Sequence, residues 1–301
     1  MNVIELENVN FGYKKGIDIL CGLSMNIPKG SIYGFLGPNG AGKTTTLKLI
    51  LSLLHNSTGE IKILNEQITN SYPQYLSKIG SLVENSSLYE HLSAKDNLRL
   101  WAKHFPHVYL RIDELLKTVG LNNEGQKKTS AYSTGMKQRL GLAIALLHNP
   151  EILILDEPTN GLDPFAITTL RKILFQLRDE GKTILLSSHI LSEVEKVVSH
   201  VGILKEGRLA FEGPINDLYA VIQKNIELTL KVDDLEKAKK ILSEQYDVRL
   251  IENALNFTIK NQIEINSIIK KCIQNDIMIF EVFKQKGDLE KLFINISNSK
   301  A

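Results

Sequence analysis

The chain has 301 residues, of which 43% are hydrophobic and 23% charged, a composition typical of a soluble globular protein with one large or two ordinary domains. A net charge of only +2 argues against a nucleic-acid-binding surface and against an electrostatic membrane anchor. The longest apolar runs, such as 140–147, are far shorter than the roughly 20 residues of a membrane-spanning helix. We therefore expect no nucleic-acid partner and no spanning segment.

Strand and helix patterns alternate along residues 1–223. Strand patterns, several of them fully apolar, lie at 3–6, 19–27, 31–36, 59–64, 78–83, 152–155 and 183–187. Helical periodicity lies at 43–54, 135–147 and 164–178, and across 72–120 with a break at Pro106. This alternation predicts an α/β domain with a mainly parallel sheet.

The pattern changes after residue 223. Strand patterns follow at 226–232, 248–251, 255–259 and 278–283, and helical patterns at 235–246, 265–273 and 289–296. The order β-α-β-β-α-β predicts a small α+β domain of the ferredoxin-like type at 224–301, following a first domain at 1–223. This second domain contains no chemical motif that we can interpret, so we expect a structural or regulatory accessory role for it.

A glycine-rich turn between the strand at 31–36 and the helix at 43–54 predicts a phosphate-binding loop. Its glycines allow backbone angles that let successive N–H groups converge on one anion, and the helix behind it adds positive potential. Lys43 is expected near the β- and γ-phosphates, and the Thr44 hydroxyl on Mg²⁺. The expected nucleotide-binding residues of this phosphate loop are Gly37, Pro38, Asn39, Gly40, Ala41, Gly42, Lys43, Thr44 and Thr45.

Two acidic residues follow the apolar strand at 152–155. Asp156, at the end of that strand, is suited to hold the Mg²⁺ that Thr44 also contacts. Glu157 would then face the γ-phosphate and polarise the attacking water. The chain is therefore expected to bind a nucleoside triphosphate and Mg²⁺, with Lys43 and Glu157 as catalytic residues.

Four further segments complete a pattern that resembles the ATP-binding cassette of ABC transporters, over residues 1 to about 220. Ser-Thr-Gly-Met-Lys at 133–137 lies where that family has its signature segment, and Asn-Gly-Leu-Asp at 160–163 matches its D-loop. His189, after Ser-Ser, matches the switch histidine, and Tyr13, after Phe-Gly, matches the aromatic residue that stacks on adenine. The resemblance implies the cassette fold, with its mainly parallel sheet, antiparallel β subdomain and helical subdomain.

The resemblance also implies a site shared between two cassettes. Ser133 and Gly135 of one copy would donate hydrogen bonds to the γ-phosphate bound by the other copy, again at a helix N-terminus. His189 would hold the γ-phosphate as a catalytic residue, and Asp163 would connect the two sites. The implied partners are a second cassette, identical or different, and a polytopic membrane subunit. The expected location is the cytoplasmic face of the membrane.

Two departures from the family pattern bear on this site. Thr134 and Met136 replace the first glycine and the glutamine of the signature segment, while Ser133 and Gly135 are retained. Glu84 stands where the family usually has the glutamine of its Q-loop. A carboxylate keeps the oxygen donor and adds a charge, so we expect Glu84 to be a further ligand of Mg²⁺.

Glu84, the following segment Ser87-Leu-Tyr-Glu-His-Leu and the signature segment together resemble the cassettes of bacitracin-type and lantibiotic-immunity exporters. This implies an ATPase subunit that powers export of a peptide antibiotic and docks on the membrane subunit through the Q-loop region and the helices at 96–119. A generic drug or lipid exporter is an alternative. A soluble ABC ATPase acting on ribosomes or DNA, and a regulatory protein with degenerate catalysis, are others.

Overall fold

The computed structural model describes residues 1–55, 57–84, 88–105, 108–223, 226–261 and 263–285. Ser87, Pro106 and the predicted helix at 289–296 lie outside the described residues. The chain divides into two units, Met1–Gly213 and Pro214–Ala301. The domain boundary expected after residue 223 stays a prediction.

The strands of the first unit form two sheets. In chain order they are β1 Asn2–Phe11, β2 Leu20–Pro28, β3 Ile32–Leu36, β4 Thr58–Ile63, β5 Glu66–Gln67, β6 Ile79–Leu82, β7 Ile152–Leu155, β8 Thr183–Ser188, β9 His200–Lys205 and β10 Arg208–Pro214. One sheet has the order β2-β1-β4-β5, and its pairs are antiparallel. The other has the order β10-β9-β3-β8-β7-β6, and the pairs from β9 to β6 are parallel.

The parallel strands end at one edge of the six-stranded sheet. Strands β3, β7 and β8 are buried along their whole length, because both faces of a parallel sheet are covered, and the residues of β3 and β7 are accordingly apolar. Their registers pair Leu36 with Ser188, and Leu155 with Leu186. Because the strands run in the same direction, the residues that follow each of them lie close together in space.

Helices connect the strands and form a separate group between β6 and β7. In chain order they are α1 Lys43–Ile50, α2 Ile68–Ser71, α3 Ala94–Ala102, α4 Ile112–Thr118, α5 Thr134–Ala145, α6 Pro164–Asp179 and α7 Leu191–Val194. Short 3₁₀ turns lie at Gln74–Lys78, Val108–Arg111, Asn122–Glu124 and Thr129–Ala131. The predicted helix at 43–54 was too long, because Ser52 adopts a left-handed conformation (φ +50°) just after α1. The region 72–120 is divided into short helices around β6, where we expected more continuous helix.

A single hydrophobic cluster joins the antiparallel sheet to the phosphate-loop helix. Leu6 and Ile27 of the antiparallel sheet pack in the same cluster as Phe35 of β3 and Leu47 of α1, and all four are buried. This packing fixes α1 against both sheets. The predicted fold class, with a mainly parallel sheet, an antiparallel β subdomain and a helical subdomain, is confirmed.

The second unit begins with α8 Ile215–Gln223. It continues with β11 Ile226–Val232, α9 Leu235–Leu242, β12 Arg249–Ile251, β13 Ala254–Ile259, α10 Ile263–Gln274 and β14 Ile279–Gln285. The sheet order is β12-β13-β11-β14 with antiparallel pairs, as expected for a ferredoxin-like domain. Its core includes Leu228, Leu230, Phe257 and Ile268, so the alternation that predicted these strands marks their buried face.

His148, in the turn after α5, is a partly buried titratable group of the first unit. Its Nε2 donates to the Ile79 carbonyl at 3.1 Å, and its ring stacks on Phe105 with the ring centres 4.8 Å apart. Burial lowers the pKa of His148 below 6.5, and the nearby cations Lys182 and Arg111 lower it further, against the opposing effect of the bond to Ile79. The native state therefore favours neutral His148.

We predict that this histidine makes the free energy of unfolding fall as the pH decreases below about 6.5. With its pKa lowered in the folded state, the unfolded chain binds more protons in the window between the two pKa values, so acid favours unfolding. Denaturant titrations between pH 7 and pH 5 should show a smaller pH slope for His148→Gln than for the parent. Equal slopes would contradict the assignment.

Candidate active site

The phosphate loop connects the end of β3 to the first residue of α1. Gly40 and Gly42 have φ angles of +82° and +109°, in the left-handed region that favours glycine. A Cβ at Gly42 would also lie 2.7 Å from a methyl carbon of Leu20. These two glycines let the chain turn sharply into α1, whose first backbone N–H groups have no partner within the helix and face the loop.

Lys43 lies inside this loop and is only 6% exposed. Its Nζ donates to the carbonyl oxygens of Gly37 at 2.7 Å and Pro38 at 3.3 Å, and lies 3.4 Å from Oε1 of Glu157. The ammonium group is thus directed at the inner face of the loop, where it can pair with an anion. Its predicted contact with the β- and γ-phosphates stays a prediction.

Thr44 and Asp156 bring a hydroxyl and a carboxylate together at the edge of the sheet. Thr44 Oγ1 donates to Asp156 Oδ2 at 2.9 Å. Ser187, at the adjacent end of β8, donates to Asp156 Oδ1 and accepts a hydrogen bond from the Glu157 backbone N–H at 2.8 Å. A hydroxyl beside a carboxylate provides the hard oxygen donors that Mg²⁺ prefers, so these residues fit the predicted metal site.

Glu157 lies between two cationic or potentially cationic side chains. One carboxylate oxygen faces Lys43, and the other is 2.8 Å from Nδ1 of His189. The Glu157 backbone has φ +47°, a strained conformation for a residue with a side chain, which is typical of functional sites. A cavity of about 320 Å³ lies here, lined by residues of the phosphate loop together with Ile19, Glu157, Asn160 and His189.

Tyr13 and Glu84 lie at the margins of this site. The Tyr13 ring is 57% exposed, with its hydroxyl 3.3 Å from Oγ1 of Thr45, so one face is available for stacking. Glu84 has φ +63°, and its carboxylate accepts a hydrogen bond from Lys48 Nζ at 2.6 Å. The structure thus places the Glu84 carboxylate on Lys48, where we had expected it beside Thr44.

Ser133, Gly135 and Asp163 lie at two neighbouring helix N-termini and do not line the cavity. The Ser133 hydroxyl accepts from the Met136 N–H at 3.3 Å at the start of α5, and the Asp163 carboxylate accepts from the Ala166 N–H at 2.7 Å at the start of α6. Gly135 is buried, and a Cβ there would lie 2.8 Å from that of Ala166. One chain therefore assembles the phosphate loop with Asp156, Glu157 and His189, but leaves the signature segment outside that cavity.

Three neighbours of the site were not identified from the sequence. Ser187 holds Asp156, Asn160 lines the cavity, and Lys48 holds Glu84. Ser187 and Asn160 belong to segments that we had singled out for His189 and Asp163, so their position next to a matched residue was the available signal. Lys48 carried no signal beyond its position one helical turn after Thr44.

Residues 20–160 match the ABC transporter family. The bacitracin transport ATP-binding protein BcrA of Bacillus licheniformis is 40% identical over 291 residues, covering 95% of this chain and 94% of that protein. The lantibiotic transport ATP-binding protein SrtF of Streptococcus pyogenes is 42% identical over 210 residues, covering 70% of this chain and 90% of that protein. Among solved structures, cbiO1 of Clostridium perfringens, part of the ABC transporter complex cbiONQ, has 30% identity and a TM-score of 0.67, over 74% of this chain and 94% of that one.

The fold and the site define a nucleotide-binding cassette. The chain belongs to the ABC transporter family, as one of its ATP-binding proteins. It is therefore an ATPase whose hydrolysis is coupled to transport, and it works with a membrane permease subunit. Within the part of the chain that the structure describes, no helix has the length and apolar character required to cross a membrane.

Replacing Ser187 with alanine should lower kcat for ATP hydrolysis about tenfold, because Asp156 and the Glu157 N–H both lose a partner that orients them. The KM for ATP should change little, since Ser187 does not line the cavity. Thr183→Ala is the matched control: that hydroxyl, on the same strand, accepts from the Gly30 N–H at 2.9 Å, far along β8 from the site. Steady-state kinetics showing equal losses in both variants would contradict the role of Ser187.

Proposed function

We propose that this protein powers the export of a peptide antibiotic, of the bacitracin or lantibiotic type, through a separate membrane subunit. The observation that carries the proposal is the similarity to BcrA, a bacitracin transport protein, along 95% of this chain, including the second unit. SrtF, a lantibiotic transport protein, aligns with only 70% of it. This difference in coverage supports a bacitracin-type cargo.

The contacts of Lys43 and Glu157 suggest how ATP binds in the site. The Lys43 ammonium group donates to the carbonyls of Gly37 and Pro38 and faces Glu157. The phosphates of ATP would replace these partners and pair with the ammonium group. Glu157, released from Lys43, would accept the proton of the attacking water on its carboxylate while His189 fixes the orientation of that carboxylate. During hydrolysis, His189 and Lys43 would stabilise the negative charge on the γ-phosphate oxygens.

Mg²⁺ would be held by Thr44 Oγ1 and Asp156, with Ser187 keeping the carboxylate in place. Bound there, the ion would neutralise charge on the β- and γ-phosphate oxygens. Glu84 is proposed as a further oxygen ligand, which requires that it leave Lys48. Their contact is an exposed ion pair, of the kind that contributes about 1 kcal/mol or less, so this exchange costs little.

A second cassette would complete the site. Ser133 and Gly135 lie at the exposed N-terminal end of α5, outside the cavity of their own chain, and would meet the γ-phosphate bound by the other copy. Asp163, at the start of α6, would connect the two sites, and Tyr13 would stack on the adenine. The second cassette is either another copy of this chain or a different one.

The membrane subunit would bind the Q-loop region around Glu84 together with α3 and α4, the helices within the predicted docking region 96–119. Exposed Tyr89, Tyr109 and Leu110 in this region provide apolar contact area. The protein would then be peripheral to the membrane, on its cytoplasmic face.

Detergent extraction from native membranes should co-purify the chain with a polytopic protein.

Replacing Glu157 with glutamine should trap an ATP-bound dimer, because the variant retains nucleotide contacts and loses the proton acceptor. Sedimentation of the purified variant should show a dimer with ATP and a monomer without it. Adding Lys43→Ala to the same background should abolish the dimer. A Glu157→Gln variant that stays monomeric with saturating ATP would refute a site shared between two copies of this chain.

Expression of the chain with its membrane subunit should raise the inhibitory concentration of bacitracin for a susceptible bacterium several-fold. The inhibitory concentration of a lantibiotic is measured in the same way. The inhibitory concentration of an antibiotic that is not a peptide should stay unchanged. Lys43→Ala with the same membrane subunit is the matched control and should give no protection. Failure of the parent to protect against both peptide classes would overturn the proposed cargo.

A further inference from the structure

In the helical group, the backbone of Tyr89, shortly after the Q-loop, is hydrogen-bonded to two buried side chains. Tyr89 donates its backbone N–H to Asn97 Oδ1 at 2.9 Å, and its carbonyl accepts from Asn97 Nδ2 and from Thr129 Oγ1, both at 3.1 Å. Asn97 and Thr129 are fully buried. Because unpaired polar groups are costly at such positions, this arrangement fixes the backbone at Tyr89 with little freedom.

The same segment is bonded to the chain on both sides of Ser133. On the N-terminal side, the Glu90 carbonyl accepts from the Ser130 N–H at 2.9 Å, and the Leu92 carbonyl accepts from the Thr129 N–H at 2.9 Å. On the C-terminal side, Lys137 Nζ donates to the Glu90 carboxylate. We call residues 89–92 the connecting segment.

Lys137 is rigidly related to Ser133. Its backbone N–H donates to the Ser133 carbonyl at 2.9 Å, in the first turn of α5. An ion pair on Lys137 therefore acts on the helix end that carries the Ser133 hydroxyl and the Gly135 N–H. The connecting segment begins five residues after Glu84 in the chain, and its hydrogen bonds join it to the residues on both sides of Ser133.

We propose that Glu90 and Lys137 are positioning residues: their ion pair sets the orientation of Ser133 towards the nucleotide of a second cassette. This inference rests on the proposed shared site. It adds that the orientation of the signature segment depends on the Q-loop region. A displacement of the connecting segment moves the start of α5 with it.

The burial of the contacts separates a fixed part from an adjustable part. The buried side chains of Asn97 and Thr129 hold the backbone of Tyr89, whereas the side chains of Glu90 and Lys137 are 61% and 32% exposed. An exposed ion pair is worth about 1 kcal/mol or less, so it can be broken and remade without unfolding the helical group. The buried bonds define where the segment sits, and the ion pair sets the angle of α5 against it.

The experiment uses the full-length chain with Glu157→Gln, in which ATP-dependent dimerisation is measured by sedimentation. Glu90→Gln and Lys137→Met should each raise the ATP concentration for half-maximal dimerisation about two- to fivefold, the range expected for one exposed ion pair. The exchange Glu90→Lys with Lys137→Glu should restore the parent value. The affinity of the monomer for a fluorescent ATP analogue should not change, because neither residue lines the cavity. The midpoint of thermal unfolding should fall no further than in Lys95→Met, a variant that also loses one ion pair.

Lys95→Met is the matched control, because Lys95 of α3 forms an ion pair at 2.6 Å with Asp113 of α4, in the same helical group. It should leave dimerisation unchanged. Thr129→Val, which removes the buried hydroxyl, should weaken dimerisation, while Thr129→Ser should not, since serine keeps the bond to Tyr89.

The outcomes separate this inference from the proposed function. Suppose that the Glu157→Gln parent dimerises with ATP, so that the shared site stands. The positioning role is then wrong if the exchange variant needs as much ATP for dimerisation as the single variants do. It is also wrong if the single variants need no more ATP than Lys95→Met. If the parent does not dimerise with ATP, both are wrong. Recovery in the exchange variant alone supports the ion pair as the positioning contact.

Discussion

The contact between the start of α1 and the carboxyl ends of β7 and β8 is the constraint on which the site depends. Thr44 and Asp156 are 112 positions apart in the chain, yet their side chains share a hydrogen bond of 2.9 Å. Parallel pairing of β3, β8 and β7 produces this proximity, because it places the residues after each strand at one edge. The apolar core between the two sheets holds α1 in place, and with it the phosphate loop that precedes this helix.

At this edge of the sheet, the polar side chains are hydrogen-bonded or ion-paired with one another, and an anion could replace these partners. Lys43 binds loop carbonyls and faces Glu157, and Glu157 is paired with His189. Each of these groups would otherwise be buried or half-buried without a partner, which is costly. We propose that the same three groups act on a triphosphate and its attacking water. Their mutual contacts hold these side chains in place, and the strained backbone of Glu157 is held by the Ser187 hydroxyl.

The sequence was sufficient for features that are local in the chain. The phosphate loop, the acidic residues after β7 and the alternation of the second unit each lie in one short segment, and the corresponding elements formed as expected. The end of α1 was misjudged because apolar periodicity continues past Ser52, whereas the backbone there turns to a positive φ. The elements between residues 190 and 223 carried no prediction. Lys48 with Glu84, and Lys137 with Glu90, could not be foreseen, because each pair joins distant segments through flexible side chains whose direction depends on packing.

The signature segment gives the account its central claim, because Ser133 and Gly135 lie outside the cavity formed by their own chain. If a second copy supplies them, two defects on different chains should complement each other. In the Glu157→Gln background, Lys43→Ala and Ser133→Arg each remove one half of the shared site, so neither variant should dimerise alone. The most direct measurement is sedimentation of their equimolar mixture with ATP. The account predicts a dimer, since one composite site keeps both Lys43 and Ser133, and a mixture that stays monomeric would contradict it.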